Sequence, residues 1–420
     1  MSPTFRSLSN PNYRLYAAGG VVSNVGTWMQ RVAQDWLVLA LTGSGTALGI
    51  TTGLQFLPIL LFSAYAGLVA DRFPKRRLLQ VTQLMMAVPS LLLGLLAITG
   101  TVETWHVYAL AFVFGIGTAF DAPARQSFVS EMVHKDDLTN AVGLNSASFN
   151  AARIVGPAVA GFMIAALGGG VEATGWVIAI NAVSYGAVVV ALQRMRTEDL
   201  DSPEPQARQK GMIRDGLRYI RRRPDLMMIL AIVFFAGTFG LNFQMTSALM
   251  ATEVFDKGAS EYGILGSAMA IGSLSGALLA ARRVRVRHRL VIGAAVGFGL
   301  AEIVAGLMPT YLMFAVWLPV LGLAALTMIT AANATMQLSV TPELRGRVMA
   351  LYMMIFMGGT PLGSPIVGWV GEVFGARWTL IGGGGITILG TLLAVALFSR
   401  SQGITRATLR ADRPVPTPVG

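Results

Sequence analysis

The chain has no cysteine and only three histidines in 420 residues. A disulfide framework and a thiolate metal site are therefore both excluded. Charge is scarce too: 13% of residues are charged and 54% hydrophobic, with a mean hydropathy of +0.61. A water-soluble fold of that composition would leave much apolar surface uncovered. The sequence also lacks HExxH, a GxSxG elbow and a GxxxxGK[ST] phosphate loop. His106, His134 and His288 fall in loops or at the ends of apolar runs. Residues 1 to 13 carry no apolar run ahead of a small-residue cleavage site, so no signal peptide is expected and the first span acts as its own insertion signal.

What the chain does have is length in apolar runs. About 20 apolar residues cross a bilayer as helix, since lipid offers backbone N–H and C=O groups no partner outside the segment. Twelve such segments are expected: 14 to 41, 46 to 70, 78 to 99, 106 to 128, 139 to 167, 171 to 192, 226 to 252, 261 to 281, 290 to 308, 311 to 338, 348 to 373 and 378 to 399. Of the 32 Lys and Arg, 28 fall in alternate connections counted from the N-terminus. Lys257 and Arg377 lie on the other side, and Arg31 and Arg153 lie inside spans. The net charge of +11 thus reads as positive-inside topology with attraction to anionic membrane lipid, both termini cytoplasmic, rather than as nucleic-acid binding.

Six spans, a solvated basic connection and six more spans divide the chain. The boundaries are 1–193 for an N-terminal bundle, 194–225 for a cytoplasmic linker, 226–400 for a C-terminal bundle and 401–420 for a cytoplasmic tail. Within the linker, MIRDGLRYIRRR (212 to 223) has the spacing of a short basic helix at a membrane surface, although a simple linker fits as well. The halves echo each other: GTALGITTG (45 to 53) aligns with ASEYGILGS (259 to 267), and RIVGPAVAG (153 to 161) with TPLGSPIVG (360 to 368). The first offset sets Asp71 opposite Arg285. Small residues four apart permit close helix packing, and Gly156 with Pro157, and Pro361 with Gly363, are candidate bending points.

GLVADRFPKRR (67 to 77) carries Gly67, Asp71, Arg72, Lys75 and Arg76 in the pattern of the loop between the second and third helices of the major facilitator superfamily, which it resembles, with Pro74 where that family places glycine. RIVGPAVAG is similar to the Gly-Pro motif of the fifth helix of that family's antiporters. FDAPARQ (120 to 126) and GTWMQRVAQDWLVL (26 to 39) look like the enterobactin and macrolide exporter branch. The resemblance covers nearly the whole chain. It implies an all-α integral membrane fold of twelve transmembrane helices in two pseudo-symmetric six-helix bundles, and a secondary transporter without cofactor or metal. The fourth-helix arginine of many proton antiporters is missing; its place falls at Ala111.

Ionisable groups at the bilayer centre cost about 2.5–3.5 kcal/mol each on insertion scales, so those present need a partner or a purpose. Arg31 and Asp35, four apart on the first span, can meet on one helix face. They either neutralise one another for insertion or serve proton coupling, with Asp35 taking up the proton. Glu302 has no basic neighbour in its own span and is a second proton candidate. Arg153 either pairs with a polar neighbour or faces the central cavity. By the resemblance, Asp71, Arg72, Lys75, Asp121, Arg125 and Arg347 form an inner-gate charge cluster that latches the halves. Asn24, Trp28, Asn242, Gln244 and Asn333 are candidate cavity residues, each open to the plainer role of joining two helices.

The expected activity is proton-coupled efflux of hydrophobic or amphipathic small molecules, drug-like or siderophore-like, by a monomer in the cytoplasmic membrane. An importer or facilitator of the same fold remains open, and a membrane-embedded enzyme or a non-transporting sensor fits less well.

Overall fold

The computed structural model describes residues 3–201, 212–281 and 288–400. Arg285, the Pro203 and Pro205 stretch of the linker, and the tail 401–420 lie outside them. The described chain is helical throughout. The first six crossings are α1 (Pro11–Thr42), α2 (Gly45–Arg72), α3 (Lys75–Ile98), α4 (Thr104–Met132), α5 (Lys135–Ala166) and α6 (Val171–Gln193). A short helix α7 (Met212–Arg221) follows. The second six comprise a broken crossing made of α8 (Pro224–Phe235) and α9 (Phe243–Leu249), then α10 (Ala259–Ala281), α11 (His288–Leu307), α12 (Tyr311–Leu338), α13 (Pro342–Phe374) and α14 (Ala376–Arg400).

Among the described residues, 11 helical crossings are long and apolar enough to span a membrane. The twelfth is α1. Its 32 residues give ample length, but Gln30, Arg31, Gln34 and Asp35 interrupt its apolar face. Local chemistry sets the helix ends. The Asn10 side chain accepts from the Tyr13 amide at the start of α1, and Gly43 takes the left-handed conformation (φ 60°) that ends it. Ser44 Oγ accepts from the Ala47 amide to open α2.

Sequence spacing expects one unbroken helix over 226 to 252. The structure instead opens it into a wide π turn at Ala236–Gly240 and leaves Leu241 and Asn242 outside any helix. GTFGLNF (237 to 243) holds the cause: two glycines of low helix propensity, and an asparagine whose Nδ2 bonds the Thr238 carbonyl at 2.9 Å.

The halves touch through their repeated segments. A Cβ on Gly49 of α2 would run into the Ser364 carbonyl of α13, and one on Gly263 of α10 would run into the Pro157 carbonyl of α5. Gly49 aligns with Gly263, and Ser364 with Pro157, so one contact is made twice around a pseudo-twofold axis. The next pair obeys the same rule. A Cβ on Gly161 would strike the carbonyl of Ala259, and one on Gly368 would strike that of Gly45. At Gly53 the spacing relaxes to 3.2 Å from the Pro361 carbonyl. Such backbone-on-backbone approach is possible only where no side chain intervenes.

All these contacts lie toward the face opposite the chain's N-terminus. Across that far face Glu372, late in α13, accepts from Ser44 Oγ at 2.5 Å and from the Thr46 amide at 2.9 Å, capping the N-terminus of α2. On the terminal face the matching helices are apart: Gly67 of α2, Gly143 of α5 and Gly346 of α13 each have open space where a Cβ would point. The molecule is sealed on the far face and parted on the terminal face.

Alignment of Gly49 and Gly263 predicts that substitution at either position breaks the same seal. Gly49→Val and Gly263→Val each disfavour the sealed arrangement by about 1–3 kcal/mol, the usual cost of overpacking. Labelling of a cysteine introduced at Trp28 by an impermeant thiol reagent applied from the far side should rise in both; an unchanged rate in a well-expressed variant contradicts the seal.

Candidate functional site

Between the halves, inside the seal, lies a cavity of about 460 Å³. Trp28 and Arg31 enter it from α1, Phe56 from α2, Phe149 and Arg153 from α5. The other half contributes Asn242 and Gln244 from the broken crossing, Tyr262 and Met269 from α10, and Phe356 and Met357 from α13. The wall is apolar and aromatic with a few polar groups, the usual make-up of a small-molecule site. The break places Leu241 and Asn242, which belong to no helix, on the cavity wall.

Arg31 does not pair with Asp35, as four-residue spacing allows. Its guanidinium carbon lies 4.8 Å from the centre of the Trp28 ring and 5.5 Å from that of Phe56. Cation–π attraction takes the place of the ion pair. Asp35 turns the other way, and its Oδ2 accepts from Tyr262 Oη at 2.7 Å. Tyr262 Oη also lies 3.2 Å from the Gln244 carbonyl. Its ring stacks on Trp36 at 6.4 Å, and the Trp36 indole is fixed in turn by donating to the Gly169 carbonyl at 2.9 Å. Asp35 is 6% exposed, and a space for a single water separates it from Arg31, walled also by Thr52, Gln55 and Phe56. A buried carboxylate of one half thus hangs on a hydroxyl of the other.

A family model for transmembrane secretion effectors matches residues 2–418. The chain belongs to that family, a branch of the major facilitator superfamily. It is 29% identical over 378 residues to the multidrug efflux pump Tap of Mycolicibacterium fortuitum, covering 87% of this chain and 90% of that one. To macrolide efflux protein A of Streptococcus pyogenes it is 24% identical, covering 87% and 91%. The crystal structure of a bacterial homolog to the human lysosomal transporter Spinster, in an inward-facing and occupied conformation, superposes with a TM-score of 0.71 over 96% of this chain and 98% of that chain, at 16% identity. This secretion effector is a transporter and not an enzyme.

Of the residues expected in the transporter's cavity, Trp28, Arg153, Asn242 and Gln244 line it. Asn24 and Asn333 do not. Asn24 Nδ2 reaches Ser148 Oγ at 3.4 Å between α1 and α5, and Asn333 accepts from Gln337 at 2.5 Å within α12. Arg153 faces the cavity with Nε and Nη2 unbonded. The pocket residues that sequence reasoning missed include the aromatic Phe56, Phe149, Phe243, Tyr262 and Phe356, which spacing cannot separate from lipid-facing or core rings.

Gly156 and Pro157, and Pro361 and Gly363, sit in helices that run unbroken. Gly156 lets Trp28 approach α5, and Gly363 lets the Thr238 carbonyl approach α13. Both glycines are close-packing points; the interruption of helix lies in the seventh crossing. Near the terminal face, Asp71 and Arg72 are exposed, and Asp71 does not join Lys75 and Asp121 in one cluster. Lys75 pairs with Glu131 of α4. Asp121 pairs with Arg125 at 2.7 Å and accepts from Thr82 at 2.9 Å and Gln83 at 2.7 Å. Arg347 of α13 packs by its Cβ against Gly216 of α7. The Lys75 and Asp121 pairs stay within the first half. Glu302 lies outside the cavity, fully buried in the second half.

Tyr262→Phe tests the inter-half bond. A hydrogen bond to a charged group contributes about 1.5–3 kcal/mol, so this variant should fold and lose about tenfold or more in transport rate. Parent-like transport would show that the bond has no part in the cycle.

Proposed function

We propose that this transporter exports hydrophobic or amphipathic small molecules across the cytoplasmic membrane in exchange for protons, as a monomer in lipid with both termini cytoplasmic. The observation that carries this reading is Asp35: buried beside the cavity, without an ion pair, and bonded across the interface to Tyr262. The basic residues, concentrated on the terminal face, support the orientation. The efflux relatives support the direction.

Ionised Asp35 accepts a hydrogen bond from Tyr262 Oη. Once protonated, it donates to Tyr262 Oη, whose own O–H then donates to the Gln244 carbonyl. The network is satisfied in both states, so neither leaves a buried polar group stranded. The change lies in charge. Protonation raises the charge of a wall that already holds Arg31 and Arg153, and turns an acceptor into a donor. Proton and substrate therefore penalise each other's binding, which exchange requires. A proton moving down the membrane potential gains about 2.3 kcal/mol per 100 mV.

On the terminal face, Asp71, Arg72, Lys75, Asp121, Arg125 and Arg347 serve as the inner gate, meeting when that face closes and the far face opens. Asp71→Ala should then lower transport while expression persists; parent-like transport counts against the latch. The function itself is tested by uptake of a chemically diverse amphipathic panel into inverted vesicles. Accumulation should need a proton gradient, collapse with a proton-dissipating agent and fail in Asp35→Asn. Parent-rate accumulation by Asp35→Asn would remove that carboxylate from coupling.

A further inference from the structure

We propose that Glu302, Thr387 and the Phe239 carbonyl form a binding site for one small dehydrated monovalent cation, Na⁺, at the break in the seventh crossing. Glu302 is 0% exposed, and neither carboxylate oxygen has a hydrogen-bond partner. The Thr387 hydroxyl, also 0% exposed, is likewise unbonded. Both face the same gap. The point where a Cβ would stand on Gly240 is 3.0 Å from Glu302 Oε2 and 3.0 Å from Thr387 Oγ1; the corresponding point on Gly383 is 2.7 Å from the Phe239 carbonyl and 3.3 Å from Glu302 Oε1. A side chain at either glycine would press on these oxygens, and at Gly240 also on the edge of the Phe298 ring, 2.7 Å from the same point.

The break supplies the main-chain oxygen. Leu241 N–H returns to the Ala236 carbonyl at 2.9 Å, and the next such bond runs from Thr246 N–H to the Asn242 carbonyl at 3.0 Å. The carbonyls of Phe239 and Gly240 are thereby left without an amide from the following turn. Carbonyls freed at an interrupted membrane helix are the usual ligands for a coupling cation. Leu241 and Asn242 also line the cavity, so the break borders both the cavity and this site.

Chemistry selects the ion. The converging atoms are oxygens of a carboxylate, a hydroxyl and a carbonyl, with no nitrogen donor, which suits a hard cation. Glu302 has no salt-bridge partner among the described residues. One carboxylate balances one positive charge and leaves a divalent ion uncompensated. A proton satisfies a single carboxylate oxygen, whereas Na⁺ engages both together with the hydroxyl and carbonyl. The site joins α11, α14 and the broken crossing, and is separate from Asp35.

Binding of ²²Na⁺ to the purified full chain in detergent tests this. Saturable binding of about one ion per chain is expected, competed by unlabelled Na⁺ and not by K⁺ or choline, with a rise in Tm of about 2–4 °C at saturation. Glu302→Gln, which keeps the shape, should abolish binding. Thr387→Val should weaken it about tenfold, a loss of roughly 1.4 kcal/mol. Asp35→Asn should bind as the parent does, so failure of proton exchange and failure of this site are read separately. Folded parent protein without saturable Na⁺ binding overturns the proposal in favour of a permanently protonated carboxyl, as does unchanged binding in Glu302→Gln. Should Glu302→Gln not fold, Thr387→Val decides: parent-like affinity there overturns the site as drawn.

Discussion

The contact on which the structure depends is a glycine Cα set against a carbonyl of the opposite half, made once by Gly49 and Ser364 and again by Gly263 and Pro157. Association of helices in lipid draws little from the hydrophobic effect, because the surrounding chains are as apolar as leucine. Backbone proximity replaces it. Dispersion between atoms at that range is short in reach and lost after a small separation, so the two seals behave as contacts that are made or broken. That is the bistability a rocking transporter needs. Because both seals lie toward one face, making them there leaves the cavity open to the other.

Within the seal the polar groups are arranged so that titration of one can be felt by both halves. Asp35 belongs to α1 and Tyr262 to α10, whose first turns carry the Gly263 contact with α5. The hydroxyl that reads the carboxylate is therefore rigidly attached to the interface that must part. Arg31 is held by aromatic faces instead of by the carboxylate. Glu372 adds a polar clamp at the far surface, where separation of the halves would return the α2 N-terminus and the carboxylate to water at modest cost.

Much of the fold was legible in sequence. Crossing lengths, alternate basic connections and the paired segments RIVGPAVAG and TPLGSPIVG point to two related bundles, because lipid forces helical spans and duplication leaves glycines in register. The site was less so. Arg31 and Asp35 were visible as costly charges, but spacing offers them each other, whereas the nearer partners in space, Tyr262 for the acid and the rings of Trp28 and Phe56 for the base, come from elsewhere in the chain. Glu131, which takes Lys75 away from the expected cluster, sits ten residues past Asp121 on the same helix, one of several acids any of which could have served. Residue type alone points to Asn24 and Asn333, and type does not say which face of a helix turns to a cavity. The interruption at 236–242 had a local signal in Gly237, Gly240 and Asn242, hidden by the hydropathy on either side.

The central claim is that protonation of Asp35 shifts the balance between far-face-sealed and far-face-open arrangements. Since the chain contains no cysteine, spin labels at Thr101 and Pro309, exposed on far-face loops of opposite halves, report that balance as a distance distribution by double electron–electron resonance. The account predicts two distances whose populations exchange as pH is lowered, with the pH response lost in Asp35→Asn. A parent distribution that does not move with pH, or one that moves equally in Asp35→Asn, would contradict it.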